Sequence, residues 1–141
     1  MPEQDNIQLI QKAYEWFTKG KVDEIVNLQA EDVEWTTPGP PAVFHTAGTR
    51  RGRQGVAEFF SELSGEQEVE TFEAQDFIAQ GDNVVAIVKY RSRVKATGKM
   101  MDTTFVHVFE IKDGKIKRFR EFFDTASVMD AFLTDQAASQ H

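Results

Sequence analysis

Cysteine is absent from this chain. Its absence excludes a disulfide framework, a thiol nucleophile and a thiolate metal site, and it leaves the redox compartment undetermined. Positive charge is in short supply: 16 Lys and Arg stand against 23 Asp and Glu, for a formal net charge of −7. Nucleic acids and anionic membranes are bound through basic surfaces, so neither is expected as a partner. No stretch approaches the roughly 20 apolar residues that span a bilayer, and the start MPEQDNIQLIQ has no basic segment leading into an apolar run. A cytoplasmic location is the expectation. Histidine occurs only at 45, 107 and 141, with no carboxylate pattern around it, and GTRRGRQG lacks the Gly-Lys-Ser/Thr ending of a phosphate loop. Neither a metal nor a nucleotide cofactor is expected.

Aromatic residues are plentiful: twelve Phe, two Trp and two Tyr against four Met. Such a chain favours an interior walled by flat rings. Its 141 residues suit one domain, expected over 1–133, with 134–141 as a disordered tail. Ile7, Ile10, Ala13, Tyr14 and Phe17 recur at helical spacing ahead of Gly20, which predicts a first helix over 5–19. A second helix is predicted over 22–30, a short strand over 33–37 and a third helix over 54–63. The proline- and glycine-rich stretch 38–52 between them reads as a loop, long enough to form a rim. Strands follow at 69–79, 83–96, 100–111 and 115–124, then a short helix over 127–133. Helices first and an antiparallel sheet after them is an α+β pattern. A sheet curled around the helices makes a cone with a cavity at its open end.

The segment TTFVHVFEIKDGKIKRFREFFD, residues 103–124, sets ionisable side chains into a strong hairpin pattern. A two-residue Asp113-Gly114 turn pairs Ile111 with Ile116 and sets His107 beside Arg120. It also sends Arg118 and Arg120 to the face of Phe105 and Phe109. A three-residue loop of Lys112, Asp113 and Gly114 instead groups His107, Phe105 and Phe109 with Phe119, Glu121 and Phe123. The second register is preferred, because it keeps two guanidinium groups in water and leaves one imidazole and one carboxylate on an aromatic wall. Trp35 and Thr37 share the parity that faces the cavity, and Tyr90 offers a hydroxyl. His45 reads as an exposed rim residue, and Arg50, Arg51 and Arg53 as partners of local carboxylates.

Three stretches, VEWTTPG, RRGRQGVAEFF and HVFEIKDGKIKRFREFFD, resemble the SnoaL-like branch of the ketosteroid-isomerase-like, nuclear-transport-factor-2-like superfamily over roughly residues 5–130. The resemblance implies a cone-shaped, curved antiparallel or mixed sheet wrapped around the N-terminal helices. Steroid isomerases carry a carboxylate base where this chain has Thr37, so that base is missing. Their helical tyrosine matches Ala13, with Tyr14 alongside on a different helical face, and their second oxyanion donor matches His107. The last-strand carboxylate of epoxide hydrolases of this fold matches Glu121, while their other two positions fall near Val88 and Tyr90. In SnoaL-type cyclases a cavity histidine works with a last-strand carboxylate. His107 and Glu121 resemble that pair, and Asp124 is the alternative carboxylate.

The resulting expectation is a cofactor-independent acid–base enzyme of isomerase, cyclase or hydrolase type, acting on a small apolar carbonyl or polycyclic compound. His107 and Glu121 would move protons, and Phe17, Trp35, Thr37, Phe60, Tyr90, Phe105, Phe119 and Phe123 would contact the substrate. The competing expectation is a ligand-binding or structural module without catalysis. A homodimer through the outer sheet face, with Arg118, Arg120 and Phe122, is compatible with both.

Overall fold

The computed structural model describes residues 2–134, so the tail expected to be disordered falls, beyond Thr134, outside the described residues. Helix α1 (Glu3–Thr18) opens with Glu3 and Asp5, whose carboxylates suit the positive end of the helix dipole. Just past its end, Gly20 has φ +73°, a conformation that glycine adopts without strain. Helix α2 (Val22–Asn27) is shorter than its apolar spacing suggests. The Gln29 side chain bonds back to the Ile25 carbonyl at 3.1 Å, and strand β1 (Gln29–Thr37) begins there. The remaining elements are β2 (Gly48–Arg51), α3 (Gly52–Glu66), β3 (Gln67–Gln80), β4 (Asn83–Val94), β5 (Met100–Lys112), β6 (Lys115–Phe122) and α4 (Thr125–Phe132).

The six strands form one curved, open sheet in the order β2-β1-β6-β5-β4-β3. The β1–β6 pair is parallel and the other four are antiparallel, so the sheet is mixed. Strand β2 lies inside the stretch read from sequence as loop. Its four residues, Gly-Thr-Arg-Arg, carry no apolar alternation, and pairing with the edge of β1 creates the strand. Thr36 and Thr49 hydroxyls meet across it at 3.0 Å.

The β5–β6 hairpin corrects the loop length expected from sequence. Asp113 (φ 52°) and Gly114 (φ 74°) form a two-residue turn with Lys112 opposite Lys115 and Ile111 opposite Ile116. The pairing then shifts by one, with Glu110 opposite Arg118, so Lys117 is the extra residue of a bulge. From there Phe109 faces Phe119 and His107 faces Glu121. The bulge, rather than a longer loop, brings His107 and Glu121 to the same inner face. Lys117 bonds to Asp32 of β1, which ties the bulge to its other neighbour strand.

The interior holds two apolar clusters. One, with Ile10, Val33, Val56, Phe59 and Ile116, lies between α1, α3 and the sheet. The other, with Phe44, Val88, Val94, Met101 and Val128, is closed by the 38–47 segment and α4. Phe44 is the plug of that segment: it is almost fully buried, with its ring 5.3 Å from that of Phe132. Gly39 has φ +115°, and a Cβ there would run into the Phe44 ring. Gly39→Ala is therefore expected to lower stability by about 1–3 kcal/mol through strain and displacement of Phe44. Urea unfolding measures this, and an unchanged midpoint would refute the wedge.

Candidate functional site

Between the two clusters lies a cavity of about 80 Å³. The ten residues singled out from sequence, the acid–base pair and the eight contact residues, all lie on its wall. Strand alternation accounts for most of this. On β5, Phe105, His107 and Phe109 are buried while Val106 and Val108 turn away. On β6 past the bulge, Phe119 and Glu121 are buried, and the following Phe123 also reaches the cavity. Tyr90 on β4 and Trp35 and Thr37 on β1 complete the sheet side, with Phe17 of α1 and Phe60 of α3 on the helical side. The rings stack: Trp35 on Phe119 at 3.9 Å, Tyr90 on Phe105 at 4.3 Å and Phe105 on Phe123 at 4.5 Å.

Into this wall are set His107 (5 % exposed) and Glu121 (8 %), with His107 Nε2 3.3 Å from Glu121 Oε2. The other imidazole nitrogen, Nδ1, is 2.7 Å from the Tyr14 hydroxyl. With Glu121 as a carboxylate, two lone pairs would face each other unless Nε2 carries the proton. Nδ1 is then the acceptor and Tyr14 the donor. Tyr14, His107 and Glu121 thus form one polar line through largely apolar surroundings, and His107 is the basic partner of Glu121 among the described residues. Trp35 Nε1 and the Thr37 hydroxyl are buried on the same side of β1 without a hydrogen-bond partner among the described residues.

Tyr14 was the residue that helical spacing obscured. Ala13 matches the isomerase tyrosine by position, yet it is the side chain of Tyr14 that crosses to β5 and meets His107, packing edge-on against Phe72 at 4.9 Å. Phe72, Gln67, Phe44 and Thr46 also line the cavity and were not singled out from sequence. The first two lie on β3, whose apolar alternation is broken by two register shifts, and the last two lie in the 38–47 segment.

Other candidates fall elsewhere. Asp124 caps α4, its side chain accepting from the Ser127 N–H at 3.2 Å, and does not line the cavity. His45 is exposed on the rim, its backbone N–H held by Glu66. Arg50 binds Glu62 and the His45 carbonyl, Arg51 binds Glu34 and Arg53 the Gln29 carbonyl, so the basic cluster serves local partners. Among the described residues no group of three or more His, Asp and Glu is placed to hold a metal, and no helix is long and apolar enough to cross a membrane.

A curved, open mixed sheet wrapped on helices places the chain in the NTF2-like class of folds. The chain belongs to the SnoaL-like domain family, whose model matches residues 10–119. A crystal structure of an NTF2-like protein from Burkholderia xenovorans superposes with a TM-score of 0.85 at 28 % identity, covering 94 % of this chain and 99 % of that one. TerC, co-crystallised with polyporic acid, superposes with a TM-score of 0.78 at 28 % identity over 90 % and 97 % of the two chains. An uncharacterised protein of Mycobacterium tuberculosis is 26 % identical over 94 % of this chain and 98 % of its own.

Burial moves the ionisation of both tyrosines. The hydroxyl of Tyr14 is held well above the ordinary 10.0, first by desolvation and then by the negative charge of Glu121. Tyr90 is also raised, again chiefly by desolvation. These are the only tyrosines of the chain. The unfolded chain releases their protons near pH 10 and the folded one does not, so the stability they confer is complete below that pH and declines above it. A spectrophotometric titration should show no tyrosinate absorbance until the protein unfolds at alkaline pH. Ionisation of either tyrosine near pH 10 in the folded state would contradict the enclosed site.

Proposed function

We propose that the protein is a cofactor-independent acid–base enzyme acting on a small, largely apolar carbonyl compound, with His107 and Glu121 transferring the proton. The observation that carries this reading is the Tyr14–His107–Glu121 line, set into a cavity wall made largely of aromatic rings. In such a site a carboxylate takes a proton from carbon adjacent to a carbonyl, and the imidazole N–H beside it steadies the negative charge that develops on oxygen. Glu121 sets the tautomer of His107, and Tyr14 holds the ring at Nδ1, which leaves the Nε2–H on the side of Glu121. Isomerisation and aldol-type cyclisation share this first step.

Size favours the small-carbonyl reading over the polycyclic one. A cavity of about 80 Å³ is roughly half the ~150 Å³ of an engineered apolar cavity that takes up benzene. A single ring is closer to that volume than a polycyclic compound is. The TerC neighbour, co-crystallised with polyporic acid, supports the use of this cavity for a small molecule. A cytoplasmic homodimer belongs to the same proposal. Phe122 (49 % exposed) stands beside Arg120 on the outer sheet face and supports pairing there.

Exchange of the α-protons of cyclohexanone in deuterium oxide, followed by NMR, tests the proton-transfer step without knowledge of the product. His107→Ala and Glu121→Gln should each lower the protein-catalysed rate by about 10²–10⁴-fold. Tyr14→Phe should lower it less, because the imidazole remains. Undiminished exchange in both His107 and Glu121 variants, or none in the wild type, would favour the non-catalytic binding module.

A further inference from the structure

The cavity has a second polar group, distant from the proton-transfer pair. The Tyr90 hydroxyl donates to Gln67 Oε1 at 2.5 Å, and both residues line the cavity. Tyr90 is almost fully buried on β4, with the Ser92 hydroxyl also beside it. By donating to Oε1, Tyr90 fixes which way the Gln67 amide points. The amide nitrogen, Nε2, then carries two N–H donors with no hydrogen-bond partner among the described residues.

The backbone gives this amide a firm mount. Gln67 is the first residue of β3, directly after α3, with an extended backbone (φ −137°, ψ 149°) and Val94 opposite it. The preceding Glu66 takes hydrogen bonds from the His45 N–H and, at 3.3 Å, from the Thr46 hydroxyl. Glu66, the last residue of α3, holds the rim segment, and Gln67, the first of β3, reaches the cavity.

Two aromatic rings bridge the Tyr90 and His107 ends of the wall. The Phe105 ring is 4.3 Å from that of Tyr90 and 6.3 Å from that of His107. Phe72 spans the same gap from the β3 side, 6.3 Å from Tyr90 and 6.1 Å from His107. Between the ends the wall is apolar.

We infer that Gln67, oriented by Tyr90, is a specificity-determining residue that donates to a second oxygen on the substrate, across the ring from the carbonyl handled by His107 and Glu121. The substrate class is then a single ring with oxygen acceptors at opposite ends, of which a cyclic 1,4-dione is the simplest example. This rests on the proposed function of the cavity and adds to it a requirement on substrate chemistry. A structural role for Gln67 alone would require only that it accept from Tyr90, and would leave ligand preference unchanged.

Cyclohexane-1,4-dione and cyclohexanone differ by that one acceptor. Each is titrated into the whole protein, and binding is read from the NMR signal of the Trp35 indole N–H, whose ring is part of the cavity wall. Gln67→Met, which keeps length and removes the donors, should weaken dione binding by about three- to tenfold more than cyclohexanone binding. Tyr90→Phe, which releases the amide, should weaken the dione in the same sense but less. Equal effects of Gln67→Met on both ketones, or none on either, would overturn the second contact while leaving the His107–Glu121 proposal intact. Failure of both ketones to bind the wild type would overturn both readings together.

Discussion

One extra residue in a strand governs the inside of this protein. Side chains alternate across a strand with a period of two, so a single added residue exchanges inner and outer faces for everything beyond it. Lys117 is that residue in β6. Without its bulge, Arg118 and Arg120 would continue the face of Ile116 into the cavity, and two guanidinium groups would be buried without partners. With it, the arginines turn outward, and Phe119 and Glu121 turn inward to meet Phe109 and His107.

The site depends on a contrast between its walls and its few polar groups. Stacked rings exclude water and lower the local dielectric, which strengthens each interaction among the groups that remain. Tyr14 and Tyr90 register that environment by keeping their protons. Each is joined to a second polar side chain, Tyr14 to His107 and Tyr90 to Gln67. In both cases the tyrosine holds a more versatile group in place: an imidazole ring in one and an amide in the other. Such preorganisation spares the site a reordering step when a ligand arrives.

Much of the architecture was legible in the chain. The helical spacing from Ile7 to Phe17 stops at Gly20, and the apolar alternation of β4 and β5 leaves little choice of face. The pairing of His107 with Glu121 was also legible, but by a mistaken route. The cost of burying Arg118 and Arg120 pointed to the right face, while the loop length assumed to produce it was wrong. A bulge leaves almost no mark in a single sequence, since Lys117 is an ordinary lysine whose role comes from pairing. Strand β2 went unseen because Gly-Thr-Arg-Arg becomes a strand only against β1. Tyr14 was underrated because helical spacing describes the face that a residue starts from and not how far a long side chain reaches.

Sequence alone determined what is local or additive. Absent cysteine, net negative charge and aromatic abundance set the class of interior, and turn residues and apolar periods set the elements, because each depends on neighbours a few positions away. Tertiary structure decided the rest: the bulge that chose the face of Glu121, the crossing of Tyr14 to His107 over 93 positions, and the meeting of Gln67 with Tyr90 at the far end of the cavity. Those contacts join strands and helices distant in the chain. Their geometry follows from how a curved sheet closes over α1 and α3, and no local pattern encodes that closure.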